Sequence, residues 1–496
     1  MRALRTITVA AICAVYLAVR LWGLTDSCLW FDEIFGVHAA EHSWSSILSF
    51  VAVDLIHPPP FYLLLKLWIG VGGESLFWLR LFPVVFAVIA IFPFLSLCRE
   101  LKIARWAAAL ALFLFAVNGS LIKYAQEVRM YSALMCLSLF SMWLFARYFN
   151  RGKGLVPLII VNVLMVYSHY FGWFVVLSEV ALILWLQRVK WRAITLMFAI
   201  TFAAFLPWMI VILLAAGSGS GLSQNIGWMT RPGLRQVVTL LLNLAEPFYY
   251  QASTAEPVSR VQIAVPILLT ALVAITFYVL RKVRVADEKA RDAVLITFFV
   301  MPVAAVFAAS WLLPYSIWGT RHLTIVFAPI LIFLSVAIVN NGVAALRIGS
   351  TIVLLLLSAS AFSLRAVQED TQYPWCAWER LAVYPAATDN KVPIVALEDM
   401  TAYHLWFALR DDRTPILKLG GFDEDKAYFL PRGFDEVTRV EQQELTADRF
   451  WLAFRAQKID ISEPPLRYFL ERGYKIADQQ KILVGPQEVG MILLEN

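Results

Sequence analysis

Residues 6–24 read TITVAAICAVYLAVRLWGL, and the polar motif WFDE follows at residues 30–33. A membrane-spanning helix needs about 20 predominantly apolar residues, and this run meets that length. Arg2 and Arg5 precede it in the manner of a signal peptide, but no small-residue cleavage site follows and Arg20 lies late in the run. We therefore predict a retained first helix with a polar motif directly after it.

The whole chain has the composition of a polytopic membrane protein. Of its 496 residues, 60% are hydrophobic and 16% are charged, whereas a soluble protein carries about 25% charged residues. The mean hydropathy is +0.69, and the 14% of aromatic residues suits aromatic belts at two membrane interfaces. The net charge of +6 lies largely in short loops between apolar runs, so it indicates orientation signals and no nucleic-acid partner.

Apolar runs of similar length recur along the chain up to residue 366. They cover residues 6–24, 76–98, 105–122, 131–149, 155–168, 171–187, 193–214, 261–280, 293–312, 323–339 and 348–366. These runs predict about eleven membrane-spanning helices. Lys and Arg concentrate in alternate loops between them, which predicts a cytoplasmic N-terminus and an extracytoplasmic C-terminus.

The composition changes near residue 368, where a soluble segment begins. We predict strands at residues 393–397, 415–419, 449–456 and 490–494, and helices at residues 401–409 and 465–472. Alternating strands and helices indicate an α/β domain. The predicted fold is therefore mainly α: a transmembrane domain over residues 1–367, followed by a small extracytoplasmic α/β domain over residues 368–496.

The five cysteines show no Cys-x-x-Cys spacing of the kind that binds metals. Two of them, Cys28 and Cys376, face the oxidising side in the predicted topology. The sequence leaves open whether these two pair, because it does not reveal their distance.

Two polar motifs lie in the first outer loop. A carboxylate at Asp32 or Glu33 can deprotonate an acceptor hydroxyl, although an acidic pair in such a loop can also be simply solvated. The imidazole of His57 precedes three prolines, which restrict the backbone around it. A neutral imidazole can bind a metal or a phosphate oxygen; the alternative is an exposed residue at a helix start.

Three further motifs lie in later outer loops. On a helix, Tyr124, Glu127 and Tyr131 share one face, and Arg129 can meet a phosphate or a carboxylate. The alternative for this segment is an interfacial tyrosine belt with an internal Glu–Arg pair. His169 in the motif YSHY can be an interfacial residue or a ligand. The last motif, residues 314–322, places Arg321 at a helix mouth, where it can hold a phosphate or extend to the interface as a snorkelling cation.

The order of these motifs resembles that of the GT-C glycosyltransferases. They are WFDE at residues 30–33, HPPPFY at residues 57–62, Arg80, YAQEVRMY at residues 124–131 and SHYFG at residues 168–172, with a weaker similarity at residues 314–322. Within that superfamily the chain is similar to the bacterial group that includes the aminoarabinose transferase of lipid A, the rhizobial core-sugar transferases and the protein O-mannosyltransferases. The resemblance covers about residues 20–175.

The resemblance implies an inverting glycosyltransferase of the bacterial inner membrane. It implies transfer from a polyprenyl-phosphate sugar to a hydroxyl of a lipid, glycan or protein on the extracytoplasmic side. The implied base is Asp32, with Glu33 as second choice. The implied substrate-binding residues are His57, Arg80, Glu127, Arg129, Tyr131, His169 and Arg321. Relatives often carry Arg-Tyr where this chain has Arg321-His322.

Metal use varies in this superfamily, and no dense Asp-x-Asp cluster is present. A divalent cation is therefore left open, with Asp32, His57 and Glu127 as its candidate ligands.

The alternative function is a lipid or lipid-linked glycan flippase without covalent chemistry. Such a transporter predicts charged residues near mid-span and broken helices in related halves, whereas few ionisable residues lie mid-span here and no internal repeat is evident. A ligase or polymerase of lipid-linked glycans shares the substrates but lacks this order of motifs. A structural or adaptor role gives no reason for polar motifs on one membrane face.

Overall fold

The computed structural model describes most of the chain and divides it into two compact units. The described residues are 2–186, 191–217, 227, 229–248, 260–280, 286–367, 376–388, 392–410, 414–422, 437–456, 462–484 and 487–496. The first unit comprises Met1–Leu24, His42–Gln251 and Ala255–Glu369. The second comprises Thr25–Glu41, Ala252–Thr254 and Asp370–Asn496.

The first unit is built from helices. They are α1 (Arg2–Leu21), α3 (Trp44–Asp54), α4 (Pro60–Gly72), α5 (Leu76–Ile89), α6 (Ile91–Glu100), α7 (Arg105–Val117), α8 (Gly119–Gln126), α9 (Tyr131–Arg151), α10 (Leu155–Ser168), α11 (Gly172–Leu186), α12 (Trp191–Gly217), α13 (Leu234–Ala245), α14 (Val261–Leu280), α15 (Ala286–Leu312), α16 (Phe327–Val339) and α17 (Ala344–Val367). A 3-10 helix, His322–Val326, leads directly into α16.

All of the predicted apolar runs are helical. Within the described residues, seven helical stretches are long and apolar enough to cross a membrane: Leu76–Glu100, Tyr131–Arg151, Trp191–Ala215, Val261–Leu280, Asp287–Leu312, His322–Val339 and Ala344–Val367. The other four predicted runs coincide with apolar helices of 10–17 residues, at Thr6–Leu21, Arg105–Val117, Leu155–Ser168 and Gly172–Trp185. The prediction of a mainly helical membrane domain is confirmed.

The shared helical face considered for Tyr124, Glu127 and Tyr131 does not form, because the segment from Tyr124 to Tyr131 is not a single helix. Helix α8 ends at Gln126, and Glu127 is extended (φ −92°, ψ 132°). The Ser132 hydroxyl donates to the carbonyl of Tyr124 (3.0 Å), so it satisfies an acceptor that the end of α8 leaves without a helical partner. The rings of Tyr124 and Tyr131 still meet across this break, with centroids 5.5 Å apart.

Three fully buried polar side chains join α9, α10 and α11: Ser141, Asn162 and Glu179. The Ser141 hydroxyl lies 2.7 Å from Asn162 Oδ1 and 2.6 Å from Glu179 Oε1. The Asn162 amide donates to Glu179 Oε2 (2.8 Å).

A count of protons in this cluster fixes the state of Glu179. Ser141 has one hydroxyl proton, which goes to Asn162, so the contact between Ser141 and Glu179 is a hydrogen bond only if Glu179 donates it. If the amide nitrogen and oxygen of Asn162 are exchanged, the Asn162 oxygen faces Glu179 Oε2. That contact is a hydrogen bond only if Glu179 donates, so the conclusion is the same. Glu179 is therefore a neutral carboxylic acid, consistent with the high cost of a buried charge.

This proton count predicts that Glu179→Gln is nearly neutral for stability. Glutamine offers one donor and one acceptor in the same positions, whereas Glu179→Leu strands the other two side chains at about 1–3 kcal/mol. Thermal unfolding in detergent should give Glu179→Gln the wild-type midpoint and Glu179→Leu a lower one. Equal destabilisation by both substitutions would contradict the neutral assignment.

The described residues of the second unit form a six-stranded sheet and four helices. They are α2 (Phe31–Glu41), α18 (Cys376–Thr388), β1 (Ile394–Ala396), α19 (Asp399–Leu409), β2 (Ile416–Leu419), β3 (Thr438–Val440), β4 (Arg449–Ala456), α20 (Leu466–Glu471), β5 (Lys475–Val484) and β6 (Gln487–Glu495). The strand order is β3-β2-β1-β4-β6-β5. Strands β3, β2, β1 and β4 are parallel, and β6 runs antiparallel to both β4 and β5.

Side chains of β4 alternate between two hydrophobic cores, one on each face of the sheet. Trp451 packs in the core that includes Trp378 of α18, and Phe450 packs in the core that includes Phe469 of α20. This alternation is what a strand covered on both faces requires. The predicted small α/β domain is confirmed, with β3 and β5 as two strands that the sequence did not indicate.

Helix α2, from the first outer loop, belongs to this second unit. The Cys28–Cys376 disulfide joins the residues just before α2 to the start of α18, with Cα atoms 5.3 Å apart. The ring of His38 on α2 meets that of Trp406 on α19, with centroids 5.0 Å apart. The pairing that the sequence left open is thus a covalent link within this unit.

Candidate functional site

The loop that carries His57 is held at both of its ends. Leu55 ends α3 in the left-handed conformation (φ 59°), and its carbonyl accepts a hydrogen bond from the Tyr170 hydroxyl (2.7 Å). On the other side of His57, Pro59 and Pro60 begin α4, as proline does readily in a first helical turn. His57 is thereby fixed beside the turn that contains Tyr170, and it is only 2% exposed.

His169 lies in that turn, between α10 and α11. Its backbone nitrogen donates to Met165 O (3.1 Å), which closes α10. Glycine is required at Gly172, because a Cβ atom there would lie 2.9 Å from Met165 Cγ and Met165 O. This tight turn brings the ring of His169 to a centroid distance of 4.9 Å from the ring of His57.

A third imidazole and two guanidinium groups complete what we term the imidazole cluster: His57, His169, His322, Arg129 and Arg321. The ring of His322 lies 5.1 Å from that of His169. Arg129 Nη2 lies 3.3 Å from His57 Nδ1, and both arginines act electrostatically on His57 and His169. The ring of Tyr131, 5.9 Å from His322, borders the cluster. The first unit thus brings together five of the seven predicted substrate-binding residues: His57, Arg129, Tyr131, His169 and Arg321.

The hydrogen bonds assign a tautomer to two of these imidazoles. His169 Nδ1 accepts from the backbone N–H of Phe171 (3.1 Å). His57 Nδ1 faces a guanidinium, which can only donate. In both neutral rings the proton therefore lies on Nε2. Each Nε2 is buried and makes no hydrogen bond within the described part of the chain.

Burial and positive charge keep both rings neutral. Burial, followed by the charges of Arg129 and Arg321, lowers the pKa of His169 to about 3. Burial, followed by the charge of Arg129 and by the other cluster members, holds the pKa of His57 well below its ordinary 6.5. The cluster therefore offers two neutral N–H donors in a region of positive potential, which suits an anion.

Two other predicted binding residues lie in the same unit with partners of their own. Arg80 is 4% exposed and donates to Leu24 O (3.0 Å). Glu127 Oε1 lies 3.6 Å from Lys123 Nζ. The carbonyl of Glu127 accepts from the backbone N–H of Arg129 (2.6 Å), a member of the imidazole cluster. The roles of the Arg80 and Glu127 side chains in substrate binding stay predictions.

The two predicted catalytic carboxylates lie in the first turn of α2, in the second unit. Glu33 is completely buried, and its Oε2 accepts from the backbone N–H of Trp30 (3.1 Å), as the acidic residue of a capping box does. Asp32 is partly exposed. Of the two, Asp32 alone has a solvent-accessible side chain that can meet a substrate.

Comparison with known proteins finds no matching family model and no matching curated sequence. Solved structures do match. The chain is similar to ArnT from Cupriavidus metallidurans bound to undecaprenyl phosphate, with a TM-score of 0.58 and 12% identity over 98% of this chain and 97% of that one. It is also similar to the Archaeoglobus fulgidus oligosaccharyltransferase in complex with zinc and sulfate, with a TM-score of 0.54 and 13% identity over 93% of this chain and 69% of that one.

The chain shares the fold of these two proteins, as its resemblance to the GT-C enzymes predicted. At 12–13% identity this similarity is one of fold. Sequence reasoning named every member of the imidazole cluster except His322 as a binding residue. The sequence does contain a signal for His322, because this residue directly follows Arg321 at the mouth of the same helix.

The described residues do not contain a group of three or more His, Cys, Asp or Glu side chains arranged to hold a metal ion. Of the candidate ligands, Asp32 belongs to the second unit, and His57 and Glu127 to the first. Metal binding by these three residues stays a prediction.

The lowered pKa values predict that His57 and His169 do not titrate near neutral pH. A base with a depressed pKa stays neutral as the pH falls through 6.5, where a free histidine takes up its proton. Histidine NMR spectra of labelled protein in detergent, assigned with His57→Asn and His169→Gln, should show these two rings unchanged from about pH 8 to pH 5. A transition of either ring near pH 6.5 would show that burial and the nearby arginines do not hold that ring neutral.

Proposed function

We propose that this protein transfers a glycosyl group from a polyprenyl-phosphate sugar to an acceptor hydroxyl, with inversion. We place the reaction at the extracytoplasmic face of a bacterial inner membrane, with the N-terminus cytoplasmic and the C-terminal domain outside. The GT-C fold supports glycosyl transfer, and the imidazole cluster supports a phosphate-bearing donor. The acceptor is a lipid, a glycan or a protein.

The observation that carries the proposal is the pair of buried Nε2–H donors beside two guanidinium groups. A phosphate oxygen accepts several hydrogen bonds at once, and charge-assisted bonds from arginine are about twice as strong as neutral ones. The polyprenyl tail of such a donor stays in the bilayer, so its phosphate must be bound at the membrane rim. The imidazole cluster offers the matching donors where α10, α11 and the 3-10 helix have their ends.

The proposed reaction uses one carboxylate and no general acid. Asp32 removes the proton from the acceptor hydroxyl, and the resulting oxygen attacks the anomeric carbon. The bond between that carbon and the phosphate oxygen breaks with both electrons on the phosphate. The polyprenyl phosphate leaves as an anion that Arg129, Arg321 and the imidazole N–H groups stabilise. Asp32 ends the cycle protonated and returns its proton to water.

Glu33, the second choice for the base, is better explained as a helix cap. Its complete burial and its bond to the Trp30 N–H leave it poorly placed to meet an acceptor. We propose that Glu127 and Tyr131 help to hold the hydroxyls of donor or acceptor. Arg80 stays a predicted contact of the donor.

Substitution of the base tests the chemistry. Purified protein with radiolabelled polyprenyl-phosphate sugar and a crude envelope acceptor should release free polyprenyl phosphate and labelled acceptor. Asp32→Asn should lower that rate by about 10²–10⁴-fold, because general base catalysis contributes this much. Asp26→Asn changes an exposed carboxylate of the same segment and should keep the wild-type rate.

The assay also separates transfer from transport. A flippase moves the labelled lipid across a liposome membrane without releasing polyprenyl phosphate. Full transfer activity in Asp32→Asn would remove the proposed base, and lipid movement without product would remove the enzyme assignment.

Substitution of His169 tests the phosphate site. Glutamine places an N–H close to the position of imidazole Nε2, whereas phenylalanine keeps the ring shape without any donor. His169→Gln should therefore bind polyprenyl phosphate with nearly wild-type affinity, and His169→Phe at least tenfold more weakly, because an unmet hydrogen bond to a buried anion costs about 1.5–3 kcal/mol. Equal affinities for both variants would show that this imidazole does not donate to the ligand.

A further inference from the structure

A cavity that the proposed reaction does not use lies in the first unit, among α1, α6 and α7. Its volume is about 370 Å³. Most of its lining is apolar and includes Val9, Leu95 and Ile103. Its charged side chains are Arg99 and Arg105, and none of the described side chains that line it is acidic. We call it the two-arginine groove.

Both arginines keep donors for a ligand. Arg99 bonds only weakly within its own helix, to Leu95 O (3.3 Å) and Ser96 Oγ (3.2 Å). Arg105 makes no hydrogen bond and no ion pair with any part of the chain that the structure describes. Both arginines are exposed, so their guanidinium groups can meet an anion from the surroundings at the edge of the apolar cavity.

The acidic residues nearest in sequence and space are already engaged elsewhere. Glu100 pairs with Arg151 (2.7 Å), and Asp287 pairs with Lys102 (3.0 Å). Both carboxylates therefore have basic partners outside the lining of the two-arginine groove, and no acidic side chain lines this groove among the described residues.

The turn between α6 and α7 holds both arginines at the groove. Ile103 N donates to Cys98 O (2.9 Å) and Lys102 N donates to Arg99 O (3.2 Å), which is the pair of bonds in a Schellman motif. Lys102 takes the left-handed position (φ 52°) that glycine usually occupies. A non-glycine residue is strained there, so the turn between Arg99 and Arg105 is maintained against a cost in backbone energy.

We propose that the two-arginine groove binds an anionic phospholipid. The two guanidinium groups hold the headgroup phosphate, and the apolar walls receive the upper part of an acyl chain. Trp106 lines the groove and is 53% exposed, as an aromatic residue at the level of lipid headgroups is. Because the loop between α6 and α7 is a predicted cytoplasmic loop, the lipid belongs to the inner leaflet, where basic pockets recognise acidic headgroups.

Native mass spectrometry of the full-length protein tests this proposal. Protein in neutral detergent is titrated with phosphatidylglycerol, and the arginines are replaced together in Arg99→Gln/Arg105→Gln. Each basic residue near an anionic lipid contributes roughly fivefold in affinity, so the double variant should bind about 25-fold more weakly. The matched control is Arg192→Gln/Arg347→Gln, which removes two exposed arginines from other predicted cytoplasmic loops and should bind like the wild type. Thermal unfolding confirms that each variant is folded.

Three results would overturn the proposal. One is an unchanged affinity in Arg99→Gln/Arg105→Gln, or an equal loss in the control variant. Another is equal binding of phosphatidylglycerol and zwitterionic phosphatidylethanolamine, which would show that the groove does not select the negative charge of the headgroup. The third is displacement of the lipid by excess inorganic phosphate or glycerol phosphate, which would assign the groove to a soluble anion. Selective, phosphate-resistant binding that needs both arginines supports it.

Discussion

Burial, reinforced by the positive charge of Arg129 and Arg321, keeps the imidazoles of His57 and His169 uncharged, and the candidate site depends on this arrangement. With their pKa values lowered, both rings present Nε2–H groups across the neutral pH range. A protonated histidine would add charge repulsion beside two arginines, whereas a neutral one adds a directed donor. The cluster can therefore stay assembled when no ligand is bound, and its net charge still favours a phosphate.

The break between α8 and α9 is what allows Arg129 and Tyr131 to serve the same cluster. Residues two positions apart in a continuous α-helix point about 200° away from each other. With Glu127 extended and α9 starting at Tyr131, Arg129 reaches His57 while the Tyr131 ring approaches His322. Local irregularity of this kind at the end of a membrane helix is tolerated because side chains such as Ser132 satisfy the freed backbone groups.

The membrane helices and the binding residues could be predicted because their signals are local. An apolar run of sufficient length is visible in the sequence, as are polar motifs that follow one another in a recognisable order. Other features depend on contacts that the sequence does not reveal. The Cys28–Cys376 disulfide, which the sequence left open, joins residues 348 positions apart. The helix break at residues 127–130 is accompanied by the hydrogen bond from the Ser132 hydroxyl to Tyr124 O. Strand β5 was missed because it lies at the sheet edge with mostly exposed side chains and shows no apolar alternation.

The most direct test of the central claim is an experimental structure of the protein with bound polyprenyl phosphate, by electron cryomicroscopy in a lipid nanodisc. The account predicts density for the phosphate within hydrogen-bonding distance, about 3 Å, of Nε2 of both His57 and His169, with the Arg321 guanidinium beside it. A phosphate bound elsewhere, with both imidazole Nε2 atoms facing protein or empty space, would contradict it.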